Sequence, residues 1–237
     1  VFSARAPGLP VIRANLAFKS LRLGQLADSV KYRLARPAEL PGSWEGMEMF
    51  LKNQIRVDDP RLDRVYAHFA ANLSDLLALG EKSGARLLLS TVVSNLKDCP
   101  PFASLHRPGL TAAELETWNQ QFQAGMTAEA ATNYAAAATA YQQAARVDDT
   151  HAELALRLGR CFEALGRYPE ARQSFERARD LDALRFRADS KLNQLIHAAA
   201  RERSGPGFRF VDAVELFARE SPRGIVGEEF LYEHVHL

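Results

Sequence analysis

Shifting the chain against itself by 34 residues brings six pairs of like residues into register. Gly125 meets Gly159, Tyr134 meets Tyr168, Ala137 meets Ala171, Tyr141 meets Phe175, Ala144 meets Ala178 and Asp148 meets Asp182. A fixed period of this length marks a supersecondary unit stacked on a copy of itself. From Thr111 onward the text is long, alanine-rich and helical, so the unit is a pair of helices. Small residues at the glycine and alanine positions let those helices approach closely. Tyr141 and Phe175 are the large residues expected to fill the space between successive hairpins.

The period and the residue types resemble tetratricopeptide repeats. Residues from about Trp118 to Leu184 are therefore expected to form two helical hairpins. The second copy, Leu158-Gly159 through Gly166-Arg-Tyr-Pro-Glu-Ala171 to Leu181-Asp182, keeps the pattern more cleanly. The first carries Ala124 where the pattern prefers Leu, as a terminal repeat does. Two copies fall short of the usual three, so neighbouring structure has to support them. The resemblance implies a concave groove for a peptide or partner protein.

The remaining sequence surrounds this insertion with text of a different kind. The first forty-one residues hold helical stretches broken by Pro7, Pro10, Pro37 and Pro41. Asp59-Pro60 starts a helix, with Asp as N-cap and Pro at the first helical position. Leu62, Val65, Phe69, Leu73 and Leu76 follow as an apolar stripe, and Gly84 ends it. Arg86–Val93 is a short run rich in β-formers that suits a buried strand. Helix, glycine and buried strand together are the grammar of a parallel α/β sheet. After the repeats, Asp189–Arg203 is helical and Gly205-Pro-Gly207 breaks it. Phe208–Asp212 is a second strand, and Asp212 with Glu215 forms a capping box for a helix over Ala213–Arg219.

Composition narrows the function classes. Thirty Lys and Arg against 29 Asp and Glu leave a net charge of +1, which provides no basic field for nucleic acid. No stretch approaches the roughly 18 to 20 apolar residues of a membrane span. The chain begins at Val1 without Met and reads as an interior piece of a longer protein. Cys99 and Cys161 read as separate thiols.

Glu233-His234-Val235-His236 is the densest group of catalysis-capable side chains. A carboxylate three residues before a histidine can meet it across one turn and hold the imidazole in one tautomer. His234 and His236 alternate, but His68, His106, His151 and His197 stand at no telling spacing for a third ligand, and neither a metal nor a cofactor is expected. Asn95, in the loop Ser94–Phe102 beyond the first strand, is a candidate for hydrogen bonding to substrate. Its other reading is a turn-capping Asn. Arg185 and Arg187 read as a solvated helix-end pair, and His106 as a structural or surface histidine.

Ser90–Asp98, Pro100–His106, Asp180–Ala188, Ser221–Ile225 and Tyr232–His236 together resemble bacterial SGNH (GDSL-like) hydrolases carrying tetratricopeptide repeats. That resemblance implies an α/β fold, a three-layer flavodoxin-like parallel sheet, with residues 1–110 and 184–237 as its two parts. The all-α hairpins of 111–183 would be inserted between them. It implies His236 as general base, Glu233 as its orienting acid, and an O-acyl ester substrate, with carbohydrate-linked esters among the candidates. The nucleophilic Ser would lie outside this chain, since no G-D-S block is present, so the chain alone is expected to be inactive. Glu233 departs from the usual Asp of that block. A membrane-anchored, extracytoplasmic parent is implied as well, with any anchor outside this chain. The competing class is a non-catalytic interaction module in which the repeats bind a peptide and the rest is scaffold.

Overall fold

The computed structural model describes residues 8–34, 50 and 53–232. The chain divides into two compact units, Val1–Asn53 and Gln54–Leu237. In the first, α1 (Leu9–Ser20) and α2 (Arg22–Leu34) pack on each other. Pro10 sits in the first turn of α1 and starts a helix rather than breaking one. Pro7, Pro37 and Pro41 lie outside the described residues.

The second unit opens with α3 (Arg61–Lys82), one residue later than expected: Pro60 is the N-cap and not the first helical residue, and the Asp59 carboxylate accepts from the Arg61 backbone N–H at 2.9 Å. Gly84 follows at φ 74°, a left-handed turn that releases the chain into β1 (Leu87–Ser90). α4 (Ala112–Ala130) and α5 (Tyr134–Val147) make one hairpin, and α6 (Ala152–Ala164) and α7 (Tyr168–Leu181) make the next. α8 (Ser190–Arg201) is capped by Asp189, whose carboxylate accepts from Leu192 N–H. β2 (Phe208–Val211) pairs parallel to β1, with Leu87 opposite Phe208 and Ser90 opposite Val211. α9 (Ala213–Glu220) and a 3-10 turn, Pro222–Gly224, complete it. Asp212 caps α9 through the Glu215 N–H at 3.3 Å and also accepts from the Thr91 hydroxyl at 3.0 Å.

The three-layer parallel sheet is not formed. Among the described residues there are nine α-helices and two paired strands of four residues each, so the molecule is mostly helical. The strand expected over Arg86–Val93 stops at Ser90 because the Asn193 side chain takes over the backbone: its Oδ1 accepts from Val92 N–H at 2.8 Å and its Nδ2 donates to Val92 O at 3.0 Å. Nor is β1 buried on both faces. Leu89 packs with Leu77, Ile196, Ala200 and Phe208 under α3 and α8, whereas Leu88 is 71% exposed. The α3 stripe is likewise displaced, with Leu77 inside and Leu76 exposed. Local text identified a helix and strands but carried no information on how many strands would gather.

The principal core lies in the hairpins. Tyr141, Phe175, Ala137, Ala144, Ala171 and Ala178 are essentially inaccessible, and Leu96 and Ile225 from non-repeat loops join the same cluster. Tyr141 and Phe175 fill space within each hairpin, and the Tyr141 hydroxyl also meets Arg157 of the second hairpin. A Cβ on Gly125 would lie 2.4 Å from the Tyr141 ring, and one on Gly159 would lie 2.7 Å from the Phe175 ring. Each ring of the second helix occupies the notch that glycine leaves in the first.

Candidate peptide groove and its supports

One face of the hairpins is open. Met126, Glu129 and Ala130 of α4 and Tyr134 of α5 line a groove of about 600 Å³ together with Arg157, Arg160, Glu163 and Ala164 of α6. The pattern behind this lining is the repeat itself. Adding 34 to Met126, Glu129 and Ala130 gives Arg160, Glu163 and Ala164, so equivalent positions of the two copies face the same space. The 3-10 turn contributes Arg223, whose guanidinium sits 5.1 Å from the Tyr168 ring centroid and 3.5 Å from Glu163. Arg157 is held by Glu129 and by Glu153, each at 2.9 Å, and the Tyr141 hydroxyl donates to Glu129 at 2.5 Å. Burial first, then the Glu129 carboxylate, pushes the Tyr141 phenol above its ordinary range, so it stays protonated. Chemically the groove offers cations, carboxylates and modest apolar surface, a set suited to recognition.

The hairpins are braced from outside by residues 102–107. Asp182, at the end of α7, accepts from Phe102 N–H at 2.9 Å and Ala103 N–H at 3.1 Å. Its counterpart one repeat earlier, Asp148, accepts from Arg107 N–H at 3.1 Å and stands 2.8 Å from His106 Nδ1. Between them the Ser104 hydroxyl accepts from Glu153 N–H at 2.9 Å. One extended strap is thus fastened to both copies by the same repeat position. Burial raises Asp182 above the ordinary carboxylate range despite its donors and Arg187. Burial acts the same way on Asp148, but donors from Thr150, His106 and Arg107 outweigh it and lower the pKa. Trp118 donates from Nε1 to Asp148 O at 3.0 Å and packs edge-on to His106, with ring centroids 4.5 Å apart. His106 is therefore structural, wedged between acid and indole.

His151 shares this aromatic pocket, 4.8 Å from His106 and 4.8 Å from Trp118 between centroids. Burial, reinforced by the neighbouring His106, lowers its pKa from 6.5 to about 4. Burial also pushes the Cys161 thiol up to about 11, and Cys99 and Cys161 are not joined in a disulfide.

A second cleft, of about 1040 Å³, is bounded by Asn95, Lys97, Asp98, Phe230 and Tyr232 among others. Asn95 is 2% exposed. Its Oδ1 accepts from Asp98 N–H at 3.0 Å, its Nδ2 donates to Leu231 O at 3.4 Å, and its carbonyl accepts from Arg187 at 3.1 Å. Arg185 and Arg187 are not solvated: their side chains are 8% and 2% exposed. Arg187 donates to the carbonyls of Asn95 and Cys99 and meets Asp182 at 3.3 Å, tying this loop to the second repeat. Arg185 pairs with Asp189 at 2.9 Å. Glu233, His234 and His236 lie outside the described residues.

Two stacked hairpins with a glycine-and-aromatic notch in each, at a 34-residue period, decide the comparison. Residues 122–185 match the family model of the tetratricopeptide repeat. Neither the curated proteins nor the solved structures contain a match to this chain. The matched segment starts within α4 and ends just beyond α7, so it covers both strap-binding aspartates and every groove residue except Arg223. No finding supports an SGNH domain or a hydrolase activity. The groove residues were missed by reading for catalytic types. The signal that finds them is the period, applied to polar as well as apolar positions. Arg223 has no such signal, because it comes from outside the tetratricopeptide repeats.

Proposed function

We propose that this chain is a protein-interaction module in which the tetratricopeptide hairpins, residues 111–183, hold an extended peptide in the groove between α4 and α6. The observation that carries the reading is the lining of one groove by equivalent positions of both copies, Met126 with Arg160, Glu129 with Glu163 and Ala130 with Ala164. A stacked array repeats its binding positions in this way. The strap and the small parallel sheet act as scaffold, supplying support that two repeats lack by themselves.

Filling the groove tests this. Ala130 and Ala164 are exposed, so Ala164→Trp occludes the groove without entering the core. Peptides selected from a random displayed library against the wild-type chain are expected to lose binding to Ala164→Trp, with the circular dichroism spectrum unchanged. Peptides that bind both proteins equally would place the binding surface elsewhere.

A further inference from the structure

Away from the repeats, we infer that the α1–α2 hairpin binds an anionic lipid surface, with Leu23, Leu26 and Val30 set among the acyl chains and Arg22, Lys31 and Arg33 on the headgroups. The small net charge of the chain conceals an asymmetry. Val1–Asn53 carries eight Lys and Arg against four Asp and Glu, whereas Gln54–Leu237 carries 22 against 25. Within residues 8–34 the imbalance is sharper, five cations against the single acid Asp28. Apolar exposure gathers in the same place. Seven of the fifteen large apolar residues exposed among the described residues lie between Val11 and Val30, and α1 buries none of its residues. A basic helix with unburied leucines is complementary to an anionic bilayer in both charge and polarity.

The arrangement along α2 joins the two observations. At about 100° per residue, Leu23, Leu26 and Val30 fall within an arc of about 60°. Arg22 and Arg33 border that stripe on one side and Lys31 on the other, and all three are exposed. Asp28 lies on the opposite face, where Lys19 of α1 neutralises it at 2.9 Å. Cations beside an apolar stripe lay their stems along it and hold their charges at headgroup level, while the one carboxylate is kept away. Gly24 lets α2 start close against the end of α1, since a Cβ there would strike the Phe18 carbonyl. Phe18 and Leu21, at this corner, are exposed as well. No helix among the described residues is long and apolar enough to cross a membrane. With 13 residues, α2 extends about 20 Å, and its one-sided stripe suits a helix lying in the plane of the interface. Nucleic acid would satisfy the cations but leave the leucines in water.

The test is cosedimentation of the full chain with vesicles of equal parts phosphatidylcholine and phosphatidylglycerol. Wild type is expected to pellet with them, less so as salt rises, and to stay in solution with phosphatidylcholine alone. Leu26→Asp is expected to weaken binding at least tenfold, with the circular dichroism spectrum unchanged because Leu26 is exposed. Arg22→Gln, Lys31→Gln and Arg33→Gln should each weaken it about fivefold. Ala164→Trp should leave vesicle binding as it is, which separates this surface from the groove. Wild type that stays in solution with the mixed vesicles, or that pellets equally with phosphatidylcholine alone, overturns the inference. So does equal binding by Leu26→Asp. Self-association in sedimentation velocity that Leu26→Asp abolishes, in the absence of vesicle binding, assigns the stripe to a second copy of the chain instead.

Discussion

Thr132 and Gly166 occupy the same turn in successive hairpins, 34 residues apart, and both lie in the left-handed region, at φ 56° and 74°. Glycine takes this conformation freely, whereas a β-branched residue is strained there. Thr132→Gly is therefore expected to stabilise the chain, by about 0.5–1 kcal/mol after the added entropy of the unfolded glycine is subtracted. Urea unfolding reads this directly, and a loss of stability would mean that the Thr132 hydroxyl, which donates to Ala131 O at 2.7 Å, outweighs the strain. His151 sets a second expectation. Its folded pKa of about 4 lies below the ordinary 6.5, so the folded state excludes a proton that the unfolded chain takes up. The resulting stability is complete above pH 6.5 and is lost as pH falls from there toward 4. Allowing for partial solvent screening, the loss is roughly 2 kcal/mol. His151→Gln should flatten that part of the pH profile; an unchanged slope would assign the acid sensitivity to other groups.

Among elements, the hairpin depends on the notch between its two helices. Gly159→Ala places a methyl against the Phe175 ring at 2.7 Å and is expected to destabilise by about 1–2 kcal/mol, overpacking exceeding the gain in helix propensity. Combining it with Phe175→Leu should recover part of the loss, a coupling that purely local effects would not produce. The strands behave differently. Leu89→Ala removes a side chain packed under α3 and α8 and should cost about 2–3 kcal/mol. Leu88→Thr, on the open face, should fall within about 0.5 kcal/mol of wild type by thermal or urea unfolding. Equal costs at the two positions would show that the open face is covered in solution.

In the whole molecule, the strap joins parts that the chain separates. Asp148 and Asp182 accept from backbone N–H groups of residues 102–107, across 41 to 80 positions of sequence. Asp182→Ala leaves two strap N–H groups and that of Leu184 without their acceptor, and is expected to cost about 2–4 kcal/mol. Because burial already raises its pKa, Asp182→Asn should cost less. Limited proteolysis near residues 100–107 should quicken in the alanine variant. Cleavage at the wild-type rate would mean the strap is held by its other contacts.

The 34-residue period by itself determined the hairpins, their glycine notches and the pairing of equivalent residues, because those contacts form between helices adjacent in sequence. It also aligned Asp148 with Asp182 without revealing that both hold one strap. The strap, the arrival of Arg223 at the groove and the burial of Arg187 join residues whose separation carries no pattern. Only the tertiary structure decided them. The same limit explains the sheet: alternation and glycine punctuation located β1 and β2, but strand number is set by long-range pairing, and here a side chain, Asn193, ends the first strand by bonding to the backbone at Val92. Local periodicity survives translation into structure because near neighbours enforce it. Buried charge and sheet size are settled by whichever distant groups arrive to satisfy them.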